Sequence, residues 1–414
     1  MDKVSRRNVL KAAGGTMGAL TVLGVAAPSR ARAAASQQAA WTWPSSESVA
    51  GTGNGADPAY VWDAEADPVI ARVLDTEDVA GINTLLNTWT TNGQPVPSGL
   101  PGYLRDFMEQ ACQLPAWTDQ ARLAAAYDFI QKQGTFVDLI YGLDSGLLSC
   151  AIPHEARAVY YSLGGADMRD RVTKTAKLGY DIGTQDAYQP GGEMIVTAVK
   201  TRMIHAAVRH LLPKSPYWSK ATDEKIPISQ QDILVTWASL ATTVMKKLTQ
   251  WNATVDSSGS GGFLHLWQIT AHMLGVRDEY IPASWDAAYS QYDQVLAPVL
   301  GPTPEGASLA RILINLADEV DDGIVTPDLI SAVGRYMLGD QVADWIQLPS
   351  EPVWEPLVAE FWPAFVAAKE GGLAFPGAQD VYWAFDELLR QGTLFYLSDG
   401  KQISIELPTV NRQF

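Results

Sequence analysis

The sequence predicts an all-α fold with one β-hairpin near the C-terminus. Apolar residues recur at steps of three and four along most of the chain from about residue 67 onward, and helical stretches do not alternate with strands. One segment instead alternates apolar and polar residues on both sides of an Asp-Gly pair, with 394–397 and 402–406 flanking the turn 398–401. The chain has 414 residues, of which 47% are hydrophobic, so it can form the large core that a helical domain requires.

The N-terminal segments are predicted to lie outside this fold. Residues 5–11 read Ser-Arg-Arg-Asn-Val-Leu-Lys, a twin-arginine signature; an apolar, Gly- and Ala-rich stretch and the cleavage site Ala31-Arg32-Ala33 follow. We therefore expect a twin-arginine signal peptide at 1–33 and a secreted protein. The apolar stretch is too short and too rich in glycine for a membrane anchor. Residues 34–60, rich in small and polar residues, are expected to form a flexible linker, and 61–414 a single α-helical domain.

The apolar periodicity locates the individual helices. It is clearest in 119–131 and 229–251, where one face of each segment is continuously apolar. Proline and glycine mark the gaps between segments. Further helices are predicted at 78–90, 134–149, 153–163, 166–180, 191–212, 263–274, 303–321, 326–346, 355–369 and 377–391.

Charge and composition exclude several functions. The net charge is −16; residues 1–33 carry six basic and one acidic side chain, a net +5, so the rest of the chain carries −21. Such an acidic surface repels nucleic acid. With two Cys and five His and no C-x-x-C, thiolate zinc sites, Fe–S clusters and c-type haem are excluded. A metal must use one or two histidines, with or without carboxylates, or enter inside an organic cofactor.

Hydrolase motifs are incomplete in this sequence. The segment 142–146, Gly-Leu-Asp-Ser-Gly, places serine one position too late for a nucleophile elbow. His154-Glu155 opens like the H-E-x-x-H zinc motif, but the second histidine is missing. Neither pattern predicts a hydrolase.

A first predicted helix, 167–179, carries an unusual polar stripe. Arg171, Lys174 and Thr175 are spaced by three and four residues, so they share one face. A functional site would explain two cations and a hydroxyl in this arrangement. A solvated helix face explains them equally well.

A second predicted helix, 193–212, is apolar nearly all round and should be buried. It nevertheless carries Arg202, His205, Arg209 and His210, which are costly to bury unless they are paired. Arg209 lies one turn beyond His205, a geometry that suits a haem iron bound by the imidazole and a propionate bound by the arginine. A hydrogen-bonded core histidine is the alternative, and the residues alone do not select His205 over His265 or His272.

The sequence as a whole resembles the latex clearing proteins, secreted haem-b rubber oxygenases within the larger MpaB-like oxygenase family. The likeness covers essentially the whole chain after the leader, and the order and spacing of short motifs carry it. These motifs are the twin-arginine leader, Leu114-Pro115-Ala116-Trp117, Ile152-Pro153-His154-Glu155, Arg171-Val172-Thr173-Lys174-Thr175 and Met203-Ile204-His205-Ala206-Ala207.

This resemblance implies roles for individual residues. It implies a globin-like haem-binding core that holds one non-covalent haem b, with His205 as the proximal ligand of the iron. Lys174 matches the lysine that occupies the distal position in a closed state. Arg171 and Thr175 match polar residues near the haem, and Glu155 matches the general base.

Two further arginines are candidates for cofactor binding from their position in the sequence. Arg209 lies one turn from His205 and could pair with a propionate. Arg335 lies in the apolar run 330–337 and needs an anion if it is buried.

The resemblance also implies a reaction. It is the endo-type cleavage of the double bonds of poly(cis-1,4-isoprene) with O₂ as co-substrate, which gives oligo-isoprenoids with aldehyde and ketone ends. A monomer is expected. Two alternatives stay open: a haem oxygenase or peroxygenase that acts on another hydrophobic substrate, and a non-catalytic extracellular protein that binds haem or apolar ligands.

Overall fold

The structure is a computed structural model that describes residues 41–320, 326–373 and 397–414, together with isolated positions between 379 and 394. The predicted signal peptide at 1–33 and the first part of the predicted linker lie outside the described residues. Most of the predicted helix at 377–391 also lies outside them.

The described part of the chain is mostly α-helical, as the apolar periodicity predicts, and contains no strand. The helices are α1 (Ala66–Thr76), α2 (Val79–Leu86), α3 (Gly102–Ala111), α4 (Gln120–Leu139), α5 (Gly146–Cys150), α6 (Pro153–Tyr161), α7 (Met168–Asp181), α8 (Met194–Leu211), α9 (Trp218–Ala221), α10 (Gln230–Trp237), α11 (Thr243–Gln250), α12 (Ser257–Met273), α13 (Trp285–Val295), α14 (Pro304–Val320), α15 (Pro327–Leu338), α16 (Asp340–Trp345) and α17 (Trp354–Leu373).

Helix α12 forms the centre of the core. It packs along α4, and almost every residue from Gly262 to Ala271 is buried. A Cβ atom at Gly262 would lie 2.5 Å from the backbone nitrogen of Ala126, so only glycine allows the two helices to approach this closely. The helix therefore begins six residues earlier than predicted, because its glycines serve packing rather than a loop.

Two π-helical segments interrupt long helices near the middle of the molecule. Ile140–Ser145 joins α4 to α5, and Ala238–Thr242 joins α10 to α11. The hydroxyl of Ser145 donates a 2.6 Å hydrogen bond to the carbonyl of Ser239, which ties the two segments together. Such π segments bend a helix and re-aim its side chains, and they occur frequently beside functional sites.

The predicted β-hairpin is not confirmed. Leu394 and Leu397 are helical, and 402–409 is extended without a partner strand among the described residues. The Asp-Gly turn itself forms, with φ of 53° at Asp399 and 67° at Gly400. The side chain of Asn83 in α2 hydrogen-bonds both the N–H and the carbonyl of Leu407, at 2.9 and 3.0 Å. A side chain thus supplies the pairing that a second strand would give.

The predicted linker is wrong for residues 41–60. Trp43 is buried, and its indole nitrogen donates to the carbonyl of Ala287 at 3.1 Å. The backbone N–H of Val49 donates to the carbonyl of Ile281 at 2.9 Å. The segment is rich in small residues because its backbone lies close to the loop 275–283, where Gly53 meets the carboxylate of Glu279.

No single helix in the described ranges is long and apolar enough to cross a membrane. One pair, Gln120–Cys150 with Pro153–Tyr161, reaches that length and composition only together, and it is bent by 89°.

Candidate active site

Three consecutive helices bring predicted site residues together. Glu155 lies in the first turn of α6, which begins at Pro153. Arg171 lies in the first turn of α7, whose N-terminus is capped by Asp167, and His205 lies in the middle of α8. All three side chains are enclosed by protein, and the charge of Arg171 influences the pKa of both Glu155 and His205. Each nevertheless keeps some accessible surface, so a ligand can reach it.

His205 has a buried imidazole that lacks partners. Neither ring nitrogen forms a hydrogen bond with a described residue, and Nδ1 is fully buried. Burial, with the positive charges of Arg209 and Arg171, lowers the pKa of His205 to about 3. The ring is therefore neutral at physiological pH, the state in which an imidazole can bind a metal ion.

The other four histidines each have a hydrogen-bonding partner. His265 is buried: its Nε2 accepts from the backbone N–H of Asp119 at 2.8 Å, and its Nδ1 lies 3.2 Å from Gln268 Oε1. His154, His210 and His272 each contact an aspartate, at 3.3, 2.8 and 2.6 Å respectively. The structure thus separates His205 from His265 and His272, which the sequence left equivalent.

Glu155 has the environment of a base. Burial raises the pKa of Glu155 to about 7, and a hydrogen bond from Thr236 offsets part of that rise. The hydroxyl of Thr236, in α10, donates to Glu155 Oε1, while Oε2 has no hydrogen bond within the described part of the chain. A carboxylate with a pKa near neutrality is well suited to take and release a proton.

Thr236 is the site residue that the sequence analysis missed. It is one of four threonines in the amphipathic segment 229–251, and nothing in the sequence distinguishes it from the other three. Its hydroxyl reaches Glu155 across 81 positions of the chain, so only the tertiary structure pairs the two.

Arg171 is an enclosed cation without a carboxylate partner. No side-chain hydrogen bond or ion pair joins its guanidinium to a described residue, and burial lowers the pKa of Arg171 while the charge of Glu155 partly offsets this. An arginine this deep is costly to leave unpaired. It is therefore available to an anionic or electron-rich ligand.

Lys174 and Thr175 lie on α7 but do not join this cluster. Lys174 Nζ pairs with Asp170 Oδ2 at 2.7 Å, one turn earlier on the same helix. The Thr175 side chain is exposed, and its hydroxyl donates to the carbonyl of Arg171 at 3.1 Å. The roles that the resemblance gives these two residues stay predictions.

Arg209 already has partners within the chain. Its Nε donates to Asp67 Oδ1 at 2.7 Å, and its Nη1 donates to the carbonyl of Ile228 at 3.1 Å. Asp63 adds a second carboxylate at 3.9 Å, and it also pairs with Arg202 at 2.6 Å. The two arginines of α8 are thus paired with carboxylates of the chain itself, and the propionate role of Arg209 stays a prediction.

Arg335 is likewise paired within the chain, and its role as a cofactor ligand stays a prediction. Its side chain is buried and has an anion, as predicted, but it has three of them within the chain. The partners are Asp340 at 3.0 Å, Asp344 at 2.8 Å and Glu355 at 3.3 Å. The arginine fastens α15 to α16 and to the start of α17.

An open cavity on the surface lies away from these residues. It has a volume of about 300 Å³ and lies between Lys177, Lys200 and the C-terminal segment 394–405. None of the predicted site residues lines it. The unpaired side chains of α6, α7 and α8, rather than this surface opening, therefore locate the candidate site.

Both the sequence and the structure match known proteins. Residues 134–368 match the family described as ER-bound oxygenase mpaB/B'/Rubber oxygenase, catalytic domain. Over 413 residues, the chain is 54% identical to a protein named Rubber oxygenase from Streptomyces sp. (strain K30), and the alignment covers 100% of both. A solved structure of latex clearing protein LCP in the closed state matches with a TM-score of 0.81 and 56% identity, over 89% of this chain and 99% of that one.

These matches define the protein as an enzyme, an oxygenase. The chain belongs to the mpaB/rubber oxygenase family, and the resemblance that its sequence motifs predicted is confirmed.

Proposed function

We propose that the protein is a haem-b-dependent dioxygenase that cleaves the double bonds of poly(cis-1,4-isoprene) endo-wise. The products are oligo-isoprenoids with aldehyde and ketone ends. The relative that is 54% identical over the full chain is named a rubber oxygenase, which supports the substrate class. An uncharged, insoluble polymer must be bound through apolar surface and shape, and no charge complementarity is required.

The single observation that carries the cofactor is the partnerless imidazole of His205. A buried ring nitrogen without a hydrogen bond is rare in proteins, and it is explained if a metal ion uses the ring. His205 would therefore hold the iron of one non-covalent haem b in a globin-like helical core. Arg171, which has no carboxylate partner among the described residues, would be available to a propionate. When bound, the haem would supply the iron that activates O₂.

Glu155 acts as the general base. Thr236 occupies Oε1 and holds the carboxylate in place, so Oε2 is left to take the allylic proton of an isoprene unit. Because the pKa of Glu155 is raised to about 7, it accepts a proton more readily than an exposed glutamate does and still ionises near neutral pH. The enclosure of the site keeps water from competing for the reactive groups.

We place the enzyme outside the cell. The twin-arginine signature at 5–11 and the cleavage site at 31–33 support export by a route that carries folded proteins, which suits a cofactor inserted before export. The substrate is an extracellular polymer, so the location agrees with the proposed reaction.

Cofactor analysis of three proteins tests this proposal. We expect the wild-type chain to hold one haem b by pyridine haemochrome, His205→Ala to lose it, and the matched variant His210→Ala, five residues along α8, to keep it. A colourless wild-type protein after haem reconstitution would overturn the cofactor. Full haem occupancy in His205→Ala would assign the iron to another residue.

Incubation with polyisoprene latex tests the substrate. We expect O₂ consumption and soluble oligomers that react with carbonyl reagents. A haem-loaded enzyme that oxidises other hydrophobic molecules and leaves latex intact would instead support the alternative oxygenase that the sequence left open.

A further inference from the structure

A second cluster of possible metal ligands lies beside the candidate active site. It consists of His154 in the first turn of α6, Glu224 in the loop after α9 and Asp232 in the first turn of α10. Each offers one ligand atom, and these atoms lie within 4.8 Å of one another. None of the three has a role in the proposed oxygenase mechanism.

The distances in this cluster are compatible with ligands of a common ion. His154 Nδ1 lies 3.3 Å from Asp232 Oδ1, a long hydrogen bond, and 3.7 Å from Glu224 Oε1, which is beyond hydrogen-bond distance. Ligands about 2.1 Å from a tetrahedral zinc ion are separated from each other by about 3.4 Å.

One carboxylate of the cluster is held in position by hydrogen bonds, and the other has a buried oxygen without a hydrogen-bond partner among the described residues. Asp232 Oδ2 accepts hydrogen bonds from the backbone N–H and the hydroxyl of Ser229, at 2.7 and 2.9 Å, which leaves Oδ1 directed at His154. Glu224 Oε2 is buried and has no hydrogen-bond partner among the described residues. Second-shell hydrogen bonds of the kind that Ser229 makes typically orient metal ligands.

Protons balance the negative charge of the cluster when no cation is bound. Burial and the neighbouring charge of Asp232 raise the pKa of Glu224 to about 8. The hydrogen bond to Asp232 raises the pKa of His154 to about 9, against the effect of burial. Arg157 also faces the cluster, but its nearest carboxylate is Glu305, at 3.9 Å. Extra protons therefore neutralise the two carboxylates at neutral pH, and a divalent cation can replace those protons.

We propose that His154, Glu224 and Asp232 form a second site that binds a borderline divalent cation such as Zn²⁺, separate from the haem of the proposed function. One imidazole and two carboxylates match the ligand preferences of zinc, and the partial exposure of His154 leaves an entry path and room for a water ligand. The site joins the first turn of α6 to α10, the helices that carry Glu155 and Thr236. A bound cation therefore stabilises the region that positions the base.

Metal-binding measurements on the full chain test this site directly. Protein stripped with a chelator and then titrated with Zn²⁺ in a calorimeter should bind one equivalent. His154→Gln and Glu224→Gln should each weaken binding at least tenfold, while His210→Gln should not, because His210 contacts one carboxylate beside a lysine. Absence of binding in the wild type, or equal binding in His154→Gln, overturns the proposal.

Thermal unfolding adds a second measurement with a folding control. Zn²⁺ should raise the Tm of the wild type and of His210→Gln but leave that of His154→Gln unchanged. Circular dichroism before metal addition checks that each variant is folded. Neither experiment depends on haem content or on latex turnover, so a failure of the oxygenase assignment and a failure of this site are distinguishable.

Discussion

Two neighbouring sets of buried polar groups around α8 differ in how they are paired. Arg202 and Arg209 are paired with carboxylates of residues 63–67, at distances of 2.6–2.7 Å for the closest pairs. In the cluster formed by α6, α7 and α8, His205, Arg171 and Oε2 of Glu155 have no hydrogen-bond partner within the described ranges. Paired charges stabilise a fold, whereas enclosed polar groups without partners cost stability and indicate a ligand or a reaction. This difference, rather than a surface cavity, marks the candidate site.

The largest expected effect is that of Glu155→Gln on turnover. The amide keeps the shape of the carboxylate but cannot take a proton, so the turnover rate on latex should fall by about 10²–10⁴, the usual contribution of a general base. Haem content should be unchanged. Turnover at the wild-type rate would show that Glu155 is not the base. It would also show that the unpaired polar groups of α6, α7 and α8 do not locate the reaction.

Substitutions among the paired charges beside α1 should change the stability of the fold rather than turnover. Asp63→Asn leaves Arg202 and Arg209 with fewer negative charges, so we expect a loss of about 3 kcal/mol in the free energy of unfolding, measured with urea. Haem affinity and turnover should stay near wild type. The exposed partner of His210, Asp75, is the matched control, and Asp75→Asn should have a much smaller effect.

The ion pair between Asp63 and Arg202 predicts that the protein loses stability in acid. Burial opposes ionisation of Asp63, but the hydrogen bond and charge of Arg202 hold the pKa of Asp63 below its usual value of 3.8. The stabilisation is therefore complete above about pH 4 and is lost as pH falls through the lower pKa of the folded state. Asp63→Asn should be less stable than the wild type at pH 6, and the difference should shrink towards pH 2.

A smaller effect is expected from Thr236→Val, which removes the hydrogen bond to Glu155 Oε1. That hydrogen bond lowers the pKa of the carboxyl, so its loss should move the rising limb of the pH–rate profile to higher pH from its position near 7. Thr236→Ser retains the hydroxyl and should restore the wild-type profile. Identical profiles for the wild type and Thr236→Val would exclude Thr236 as a positioning residue.

The smallest effect is expected for Lys174, which the structure pairs with Asp170 rather than with the cluster. Lys174→Ala should change the visible spectrum of the distal haem position while haem content stays constant. Asp170→Asn frees the ammonium group and should change the spectrum in the opposite sense. If both spectra equal that of the wild type, Lys174 does not reach the iron in this protein.

Most helices were predictable because they follow the apolar period, and their errors have physical causes. The predicted helix at 326–346 is divided at Gly339, whose φ of 79° ends α15. Four helices, α1, α3, α9 and α13, were not predicted, and α9 is only four residues long. The hairpin is not confirmed, and the side chain of Asn83 instead forms hydrogen bonds with the backbone of Leu407.

The sequence by itself determined the helical class and the family, and it singled out Glu155, Arg171 and His205 as candidate site residues. Composition and motif order are local properties, so they can be recognised without a fold. Only the tertiary structure decided which charges are free. The partners of Arg202 and Arg209 lie about 140 positions earlier in the chain, and the partner of His265 is the backbone of Asp119. Pairing depends on distance in space, which the periodicity of the sequence does not give. The absence of a hydrogen-bond partner for His205 could therefore be found only in the tertiary structure.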